Sequence, residues 1–161
     1  MINKIKIIFS WLLVLIVAVL IFNFSAENAE TSSQTSEGVV VEILGTVMDK
    51  EDITPEIVTK FHFPIRKIAH FGIYMLLGFC LLNATKHSFK IKTLFNLIIS
   101  FVIAVIYATL DELHQNFSAG RGPKATDVLI DASGALIGIL LFWLAIFLID
   151  KITLKAESRK K

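Results

Sequence analysis

The chain has 161 residues and a formal net charge of +2, with 55% hydrophobic residues and a mean hydropathy of +0.70. This composition excludes an ordinary soluble domain and indicates an integral membrane protein whose single compact bundle leaves no room for a separate soluble catalytic domain. The single cysteine, Cys80, lies within an apolar run, which excludes an internal disulfide and a cysteine-built zinc site.

The first apolar run covers residues 7–24 and follows Lys4 and Lys6. As a helix it is long enough to cross a hydrocarbon core of about 30 Å. A cleavable signal peptide is the alternative interpretation. The run exceeds the roughly 7–15 apolar residues of such a peptide, and Ser25-Ala26-Glu27 is a weak cleavage site, so a retained membrane anchor is favoured.

The next segment, residues 25–64, is predicted to be an outer loop and contains eight acidic residues against two lysines. Its stretch ETSSQTSEG is typical of an exposed linker. Apolar residues at helical spacing between 40 and 47 predict a short amphipathic helix lying on the outer surface, with a strand over 39–41 as the alternative. Thr54 and Pro55 are typical of the cap and first position of another brief helix. We expect His62, before Pro64, to be solvated.

The second crossing is predicted over residues 65–83, with Pro64 opening the helix because proline favours the first turn. Arg66 and Lys67 then fall within the first turns of this helix. His70 and Tyr74 continue the face of Arg66 at intervals of four residues. A polar stripe therefore enters one half of the bilayer.

The third and fourth crossings are predicted over 93–110 and 128–149, which completes an all-α bundle of four membrane helices with an outer loop over 111–127. At its start Asp111, His114 and Gln115 share one helix face, while Glu112 points partly away.

For Tyr74 of the second crossing, a hydrogen bond within the bundle is a more common role than catalysis.

The fourth crossing carries Asp127, Asp131, Gly134 and Gly138 along a single stripe. The two glycines allow a neighbouring helix to approach closely, so Asp131 is expected to face the bundle interior and not lipid. Asp127 follows Thr126 and is equally compatible with capping the helix and with a direct role in a site.

The loop charges predict the topology. The N-terminal segment, residues 84–92 and the C-terminal tail contain ten of the sixteen Lys and Arg residues, whereas the other two loops and their helix ends contain twelve of the fourteen acids. Both termini are therefore expected in the cytoplasm and the polar helix ends on the outer side.

These helix ends are predicted to converge on one outward-facing polar pocket. Arg66 and Lys67 would lie at a positive helix end, where a carboxylate of Asp111 or Glu112, or an anionic ligand, would stabilise them. Asp131 could neutralise either of them or Arg121. Because charge inside a membrane is costly, the pocket is interpreted as a functional site, with an internal ion pair of His70 and Asp131 as the structural alternative.

Four stretches together resemble the VanZ-like family of bacterial membrane proteins: FNFSAENAETSSQTS after the first crossing, RKIAHFGIYMLLG (66–78), DELHQNFSAGR (111–121) and TDVLIDASGALIG (126–138). The resemblance implies a four-helix envelope protein linked to low-level resistance to the lipoglycopeptide teicoplanin. The polar and glycine positions that form the family's signature correspond here to Lys67, His70, Tyr74, Asp111, Glu112, His114, Gln115, Arg121, Asp127, Asp131 and Gly134.

Two classes of function follow. One is an enzyme acting on a lipid-linked or peptidoglycan-linked substrate, with Asp111, Glu112 or His114 as general acid or base. In it Arg66, Lys67 and Arg121 would bind an anionic group, and no Ser or Cys nucleophile pattern accompanies them. The other is a protein that binds a membrane lipid, a lipid-linked precursor or the antibiotic's lipid tail without turnover. No organic cofactor and no nucleic-acid partner are expected. A divalent metal is a subsidiary hypothesis of either class. The candidate oxygen and nitrogen ligands match no specific metal signature in their spacing; they are His70, Asp111, Glu112, His114 and Asp131.

The charge distribution gives a direct test of topology. A reporter fused after Lys161 should be active only in the cytoplasm, and single cysteines placed in 30–37 should react with an impermeant reagent from outside, because positively charged loops remain on the cytoplasmic side. External accessibility of the C-terminal tail would contradict the assignment.

Overall fold

The structure is a computed structural model that describes residues 2–26, 29–115 and 124–158. Within these ranges it is all-helical and has no strand, so the strand considered for 39–41 is wrong. Its elements are α1 (Ile2–Ala26), α2 (Ala29–Leu44), a 3-10 turn (Lys50–Asp52), α3 (Pro55–Ser88), α4 (Thr93–Gln115) and α5 (Ala125–Ser158). Four helices, α1, α3, α4 and α5, are long and apolar enough to cross a membrane. Each predicted crossing falls inside one of them.

Helix α3 is the centre of the bundle and contacts each of the other four helices. It begins at Pro55, after a Thr54 cap whose hydroxyl accepts from the backbone N–H of Ile57 at 3.5 Å. The prediction that Pro64 opens the second crossing is therefore wrong, because Pro64 lies inside this helix. A proline removes one backbone hydrogen bond, and the capped segment before it continues the same helix. At about 1.5 Å per residue, a helix this long extends well beyond a hydrocarbon core of about 30 Å.

Helix α2 contains the Ser/Thr-rich stretch that was predicted to be an exposed linker. Val40 is fully buried and α2 contacts α3, whereas Val39 and Val41 remain largely exposed. Packing of one face against α3 therefore outweighs the modest helix propensity of Ser, Thr and Gly. His62 is also buried, and its ring lies against that of Phe63 in a tilted arrangement. Its predicted solvation is wrong because this segment belongs to α3 and is not a loop.

Helices α3 and α5 approach each other at three glycines. A Cβ atom on Gly134 would collide with the backbone of Phe71, one on Gly138 with that of Met75, and one on Gly78 with that of Ala135. The close approach predicted from Gly134 and Gly138 is thus confirmed, while Gly78 was not recognised from the sequence. These contacts fix the register of the two helices, and Asp131, one turn before Gly134, lies inside the bundle as expected.

The four membrane helices have two distinct ends. Helices α1 and α4 end, and α5 begins, at the end that carries α2, called here the α2 end. At the opposite end Trp11 donates to the hydroxyl of Ser88 at 2.8 Å, and the side-chain amide of Asn83 donates to Ser10 at 3.1 Å. Midway, Tyr107 donates to the carbonyl of Ala18 at 2.6 Å. Helix α1 is therefore attached along its length to both α3 and α4.

The α3–α5 contact leads to a stability prediction. We expect Gly138→Ala to lower the free energy of unfolding by about 1–3 kcal/mol, because its methyl group would overlap the Met75 backbone, which cannot move aside without separating the helices. Gly72→Ala is the matched control, because no atom lies within 4 Å of its added Cβ and it should gain helix propensity. Thermal unfolding of both variants in detergent measures the difference, and equal melting temperatures would contradict the close contact.

Candidate functional site

Three ionisable side chains from three helices meet inside the bundle near the α2 end. His70 of α3, Asp111 of α4 and Asp131 of α5 each offer a nitrogen or oxygen, and these atoms all lie within 4.8 Å of one another. Asp111 is 5% exposed and Asp131 is 2% exposed. We call these three residues the buried triad. Asp131 therefore faces His70, which agrees with the ion-pair alternative considered from the sequence.

Within the buried triad, Nδ1 of His70 lies 3.6 Å from Oδ1 of Asp131. This distance is too long for a good hydrogen bond, and Oδ1 of Asp131 has no hydrogen-bond partner among the described residues. Tyr74 lies one helical turn beyond His70 and is completely buried, near the carboxylates of Asp111 and Asp131. Its hydroxyl makes no hydrogen bond of good geometry with described residues, although it lies close enough to the Asp111 carboxylate to interact with it.

The carboxylate of Asp111 is held by two polar side chains. The hydroxyl of Ser25, at the end of α1, donates to Oδ2 at 2.9 Å, and the amide of Gln115 donates to the same oxygen at 3.4 Å. Gln115 also donates to the Ser25 hydroxyl at 3.3 Å. Gln115 is therefore a buried part of α4, and it does share the face of Asp111. Ser25 was not among the predicted site residues, although it lies in the FNFSAE motif that contributed to the resemblance.

Arg66 and Lys67, which were predicted to lie at the start of a helix, lie elsewhere in the structure. Because α3 begins at Pro55, Arg66 and Lys67 lie about three turns inside it and not at its positive end. Lys67 pairs with Asp127 at 3.5 Å, with side chains 48% and 32% exposed, so its predicted pairing with Asp111, Glu112 or Asp131 is wrong. Such an exposed pair is worth only about 0–1 kcal/mol. Asp127 is a residue of the first turn of α5, which begins at Ala125.

Two further predicted site residues lie outside the buried triad. Glu112 is buried, and its Oε1 accepts from the backbone N–H of Lys124 at 2.6 Å, so it anchors the start of α5 and does not point away from the bundle. His114 stacks on Phe22 of α1, with ring centroids 4.5 Å apart. It therefore faces α1, the helix whose Ser25 also contacts Asp111 and Gln115. Arg121 lies outside the described residues.

A separate cavity lies beside the buried triad, between α1, α2 and α3. It has a volume of about 210 Å³ and largely apolar walls, with Arg66 and His70 among the residues that line it. The apolar walls include Ile21, Phe24, Val39, Ile65 and Ile73, and the polar ones also include Thr35 and Ser36. His70 is thus shared between this cavity, called the apolar cavity, and the buried triad.

Comparison with known protein families gives one result that covers the whole site. The sequence model of the family described as VanZ/LLP1 matches residues 9–148. This range includes all of α2 and every residue named in the buried triad and the apolar cavity. No curated protein and no solved structure shows a significant match.

The hydrogen bonds to Asp111 generate a second stability prediction. We expect Ser25→Ala to destabilise the protein by about 1–2 kcal/mol, because a buried carboxylate loses a charge-assisted donor. Ser133→Ala is the matched control, since Ser133 is exposed and only bonds the carbonyl of Leu129 in its own helix. Thermal unfolding in detergent compares the two, and a loss as large for Ser133→Ala would contradict a specific role of Ser25.

Proposed function

The chain belongs to the VanZ/LLP1 family, and on that premise we propose that it is a bacterial envelope protein that binds the anionic headgroup of a membrane lipid or lipid-linked precursor. Through this binding it contributes to tolerance of lipoglycopeptide antibiotics of the teicoplanin type. The four apolar helices support a multi-pass position in the cell membrane. The tolerance itself is the function that the family resemblance implies.

The observation that carries the proposal is the composition of the apolar cavity. Its walls are aliphatic and aromatic, yet Arg66 and His70 are part of the same lining. An amphipathic ligand matches this combination, because its hydrocarbon portion contacts the apolar walls while its charged group meets the guanidinium. A planar guanidinium can bind phosphate or carboxylate oxygens through two parallel hydrogen bonds.

The volume of the cavity limits the size of the ligand that it can hold. At about 210 Å³ it is smaller than the roughly 300–1,000 Å³ of a pocket for a drug-sized molecule. A whole lipoglycopeptide therefore does not fit, whereas one hydrocarbon segment of a lipid and part of its headgroup do. The antibiotic's lipid tail is a competing occupant with the same apolar chemistry. Binding at this position would alter the access of the antibiotic to its envelope target.

The loop charges support an outer-facing site. The segments between crossings at the α2 end, with the adjoining helix ends, contain twelve of the fourteen acids, and the segments at the opposite end contain ten of the sixteen basic residues. By the positive-inside rule the α2 end faces the cell exterior and both termini face the cytoplasm. The apolar cavity would then open into the outer leaflet, where lipid-linked precursors meet glycopeptides.

An intramembrane enzyme acting on an anionic lipid-linked substrate is a second candidate, supported by the position of His70. This residue lines the apolar cavity and also approaches Asp131, so an imidazole next to buried carboxylates adjoins the proposed ligand. Incubation of purified protein with lipid-linked precursor, followed by mass spectrometry, distinguishes the two. A covalently changed lipid favours the enzyme, and an unchanged but bound lipid favours the binding protein.

Neighbouring cations on α3 provide a matched test of headgroup binding. We expect Arg66→Gln to reduce anionic lipid retained through purification by about tenfold or more, and to reduce teicoplanin tolerance at equal protein level, because a charge-assisted contact is worth about 1.5–3 kcal/mol. Lys67→Gln removes the same charge one residue away, but from an exposed pair with Asp127 outside the cavity lining, so retention should be unchanged.

The measurements are quantitative lipid mass spectrometry and growth in graded teicoplanin. Equal loss in both variants would show that general surface charge, and not the cavity, determines lipid retention. Full lipid retention in Arg66→Gln would contradict headgroup binding at this position.

A further inference from the structure

We propose that His70, Asp111 and Asp131 bind one divalent transition-metal ion, of the Zn²⁺ or Mn²⁺ class, in the interior of the bundle. The proposal goes beyond lipid binding and does not depend on it. It rests on the geometry of the buried triad, on polar atoms within it that lack partners, and on its charge. Each of these is a property of described residues.

The spacing of the donor atoms suits a shared ion better than direct contact. The three side chains come from three helices, and their ligand-capable atoms lie within 4.8 Å of one another. Nδ1 of His70 and Oδ1 of Asp131 are 3.6 Å apart. Two donors bound to one ion at about 2.0–2.2 Å are themselves roughly 3–3.5 Å apart in tetrahedral or octahedral geometry. Small rotations of the side chains therefore complete the site without moving the helices.

Two polar atoms at this point have no partner in the part of the chain that the structure describes. Oδ1 of Asp131 is buried without a hydrogen bond, and so is the hydroxyl of Tyr74, whose residue is 0% exposed. Leaving such groups unsatisfied costs about 1–3 kcal/mol each. A bound ion satisfies the Asp131 oxygen directly. The Tyr74 hydroxyl then provides either a further oxygen ligand or a donor to an ion-bound water.

The charge of the buried triad requires compensation. Asp111 and Asp131 together carry a formal charge of −2, and neither forms an ion pair with a lysine or arginine within the described ranges. Lys67 of α3 pairs with Asp127 instead. Buried charges are retained in proteins when they are paired or coordinate a metal. One divalent cation with a neutral His70 makes the site electrically neutral.

The surroundings of Asp111 resemble those of a metal-binding carboxylate. Ser25 and Gln115 both donate to its Oδ2. Outer hydrogen bonds of this kind fix the orientation of a ligand and are a regular feature of metal sites. Both bonds go to Oδ2, which leaves Oδ1 of Asp111 to contact an ion. Two neutral donors on one buried carboxylate do not by themselves neutralise it.

The donor set indicates the class of ion. An imidazole nitrogen with two carboxylates suits Zn²⁺ or Mn²⁺, whereas Mg²⁺ and Ca²⁺ prefer all-oxygen sites. Three protein ligands leave at least one coordination position for water or for an anionic ligand. His70 also lines the apolar cavity, so an ion held here lies next to the proposed lipid site.

The test uses the full-length protein in detergent after removal of any affinity tag and extraction with EDTA. Separate additions of Zn²⁺, Mn²⁺, Mg²⁺ and Ca²⁺ are followed by elemental analysis and calorimetry, without added lipid. We expect about one Zn²⁺ or Mn²⁺ per chain, and a higher melting temperature because the ion binds only the folded state. Failure of lipid binding would leave this result unaffected.

Matched substitutions assign the ligands. Asp131→Asn and Asp111→Asn should each weaken binding by roughly 100-fold or more, since loss of even an outer partner commonly costs 10–100-fold. Asp127→Asn, one turn earlier on α5, and Glu112→Gln, adjacent to Asp111 on α4, are the controls and should retain affinity. Retention of stoichiometric binding by both Asp131→Asn and Asp111→Asn would overturn the assignment.

Stability in the absence of metal separates the proposal from a structural ion pair. Removing one of two like charges should leave metal-free Asp131→Asn at least as stable as metal-free wild type, while abolishing the metal-dependent rise in melting temperature. If Asp131 instead neutralises a cation, Asp131→Asn should melt well below wild type and wild type should bind no ion. That combination would also overturn the proposal.

Discussion

The backbone contact between α3 and α5 is the constraint on which the rest of the structure depends. Gly134 and Gly138 lie against the backbones of Phe71 and Met75, and Gly78 lies against Ala135. Inside a membrane, helices gain little from hydrophobic exclusion and associate through close packing and polar contacts. Because this contact fixes both rotation and register, it brings His70 and Asp131 together. A shift of one residue along either helix would separate them.

The polar groups at the α2 end form two layers with different physical roles. The outer pair, Lys67 and Asp127, is substantially exposed and contributes little stability. In the inner layer, the buried triad, the two carboxylates are almost completely shielded, and buried carboxylates are destabilising unless they are compensated. The apolar cavity reaches His70 from the side of α2. Lipid binding and ion binding would therefore meet at one residue, which links the two proposals structurally while leaving them separately testable.

The errors of sequence interpretation have local causes. Pro64 was interpreted as a helix start, yet the Thr54 cap and packing against other helices extend α3 to Pro55. The Ser/Thr-rich stretch was interpreted as a linker, yet one buried valine and contact with α3 accompany helix α2. The first of these errors placed Arg66 and Lys67 at a helix end in the prediction. Gln115 was likewise assigned to the end of the third crossing and its loop, although the structure buries it against Ser25 and Asp111.

The sequence by itself determined the membrane class, the existence of four crossing helices, the family and the inward direction of Asp131. These follow from long apolar runs, from motif order and from glycine spacing on one helix, which are all local properties of the chain. Only the tertiary structure decided the partners: Lys67 with Asp127, Ser25 with Asp111, and His70 with both buried carboxylates. Helical periodicity states which residues share a face, but it carries no information about the height and rotation at which another helix meets that face. Those two quantities are set by close packing across the α3–α5 contact, and they determine which side chains form the site.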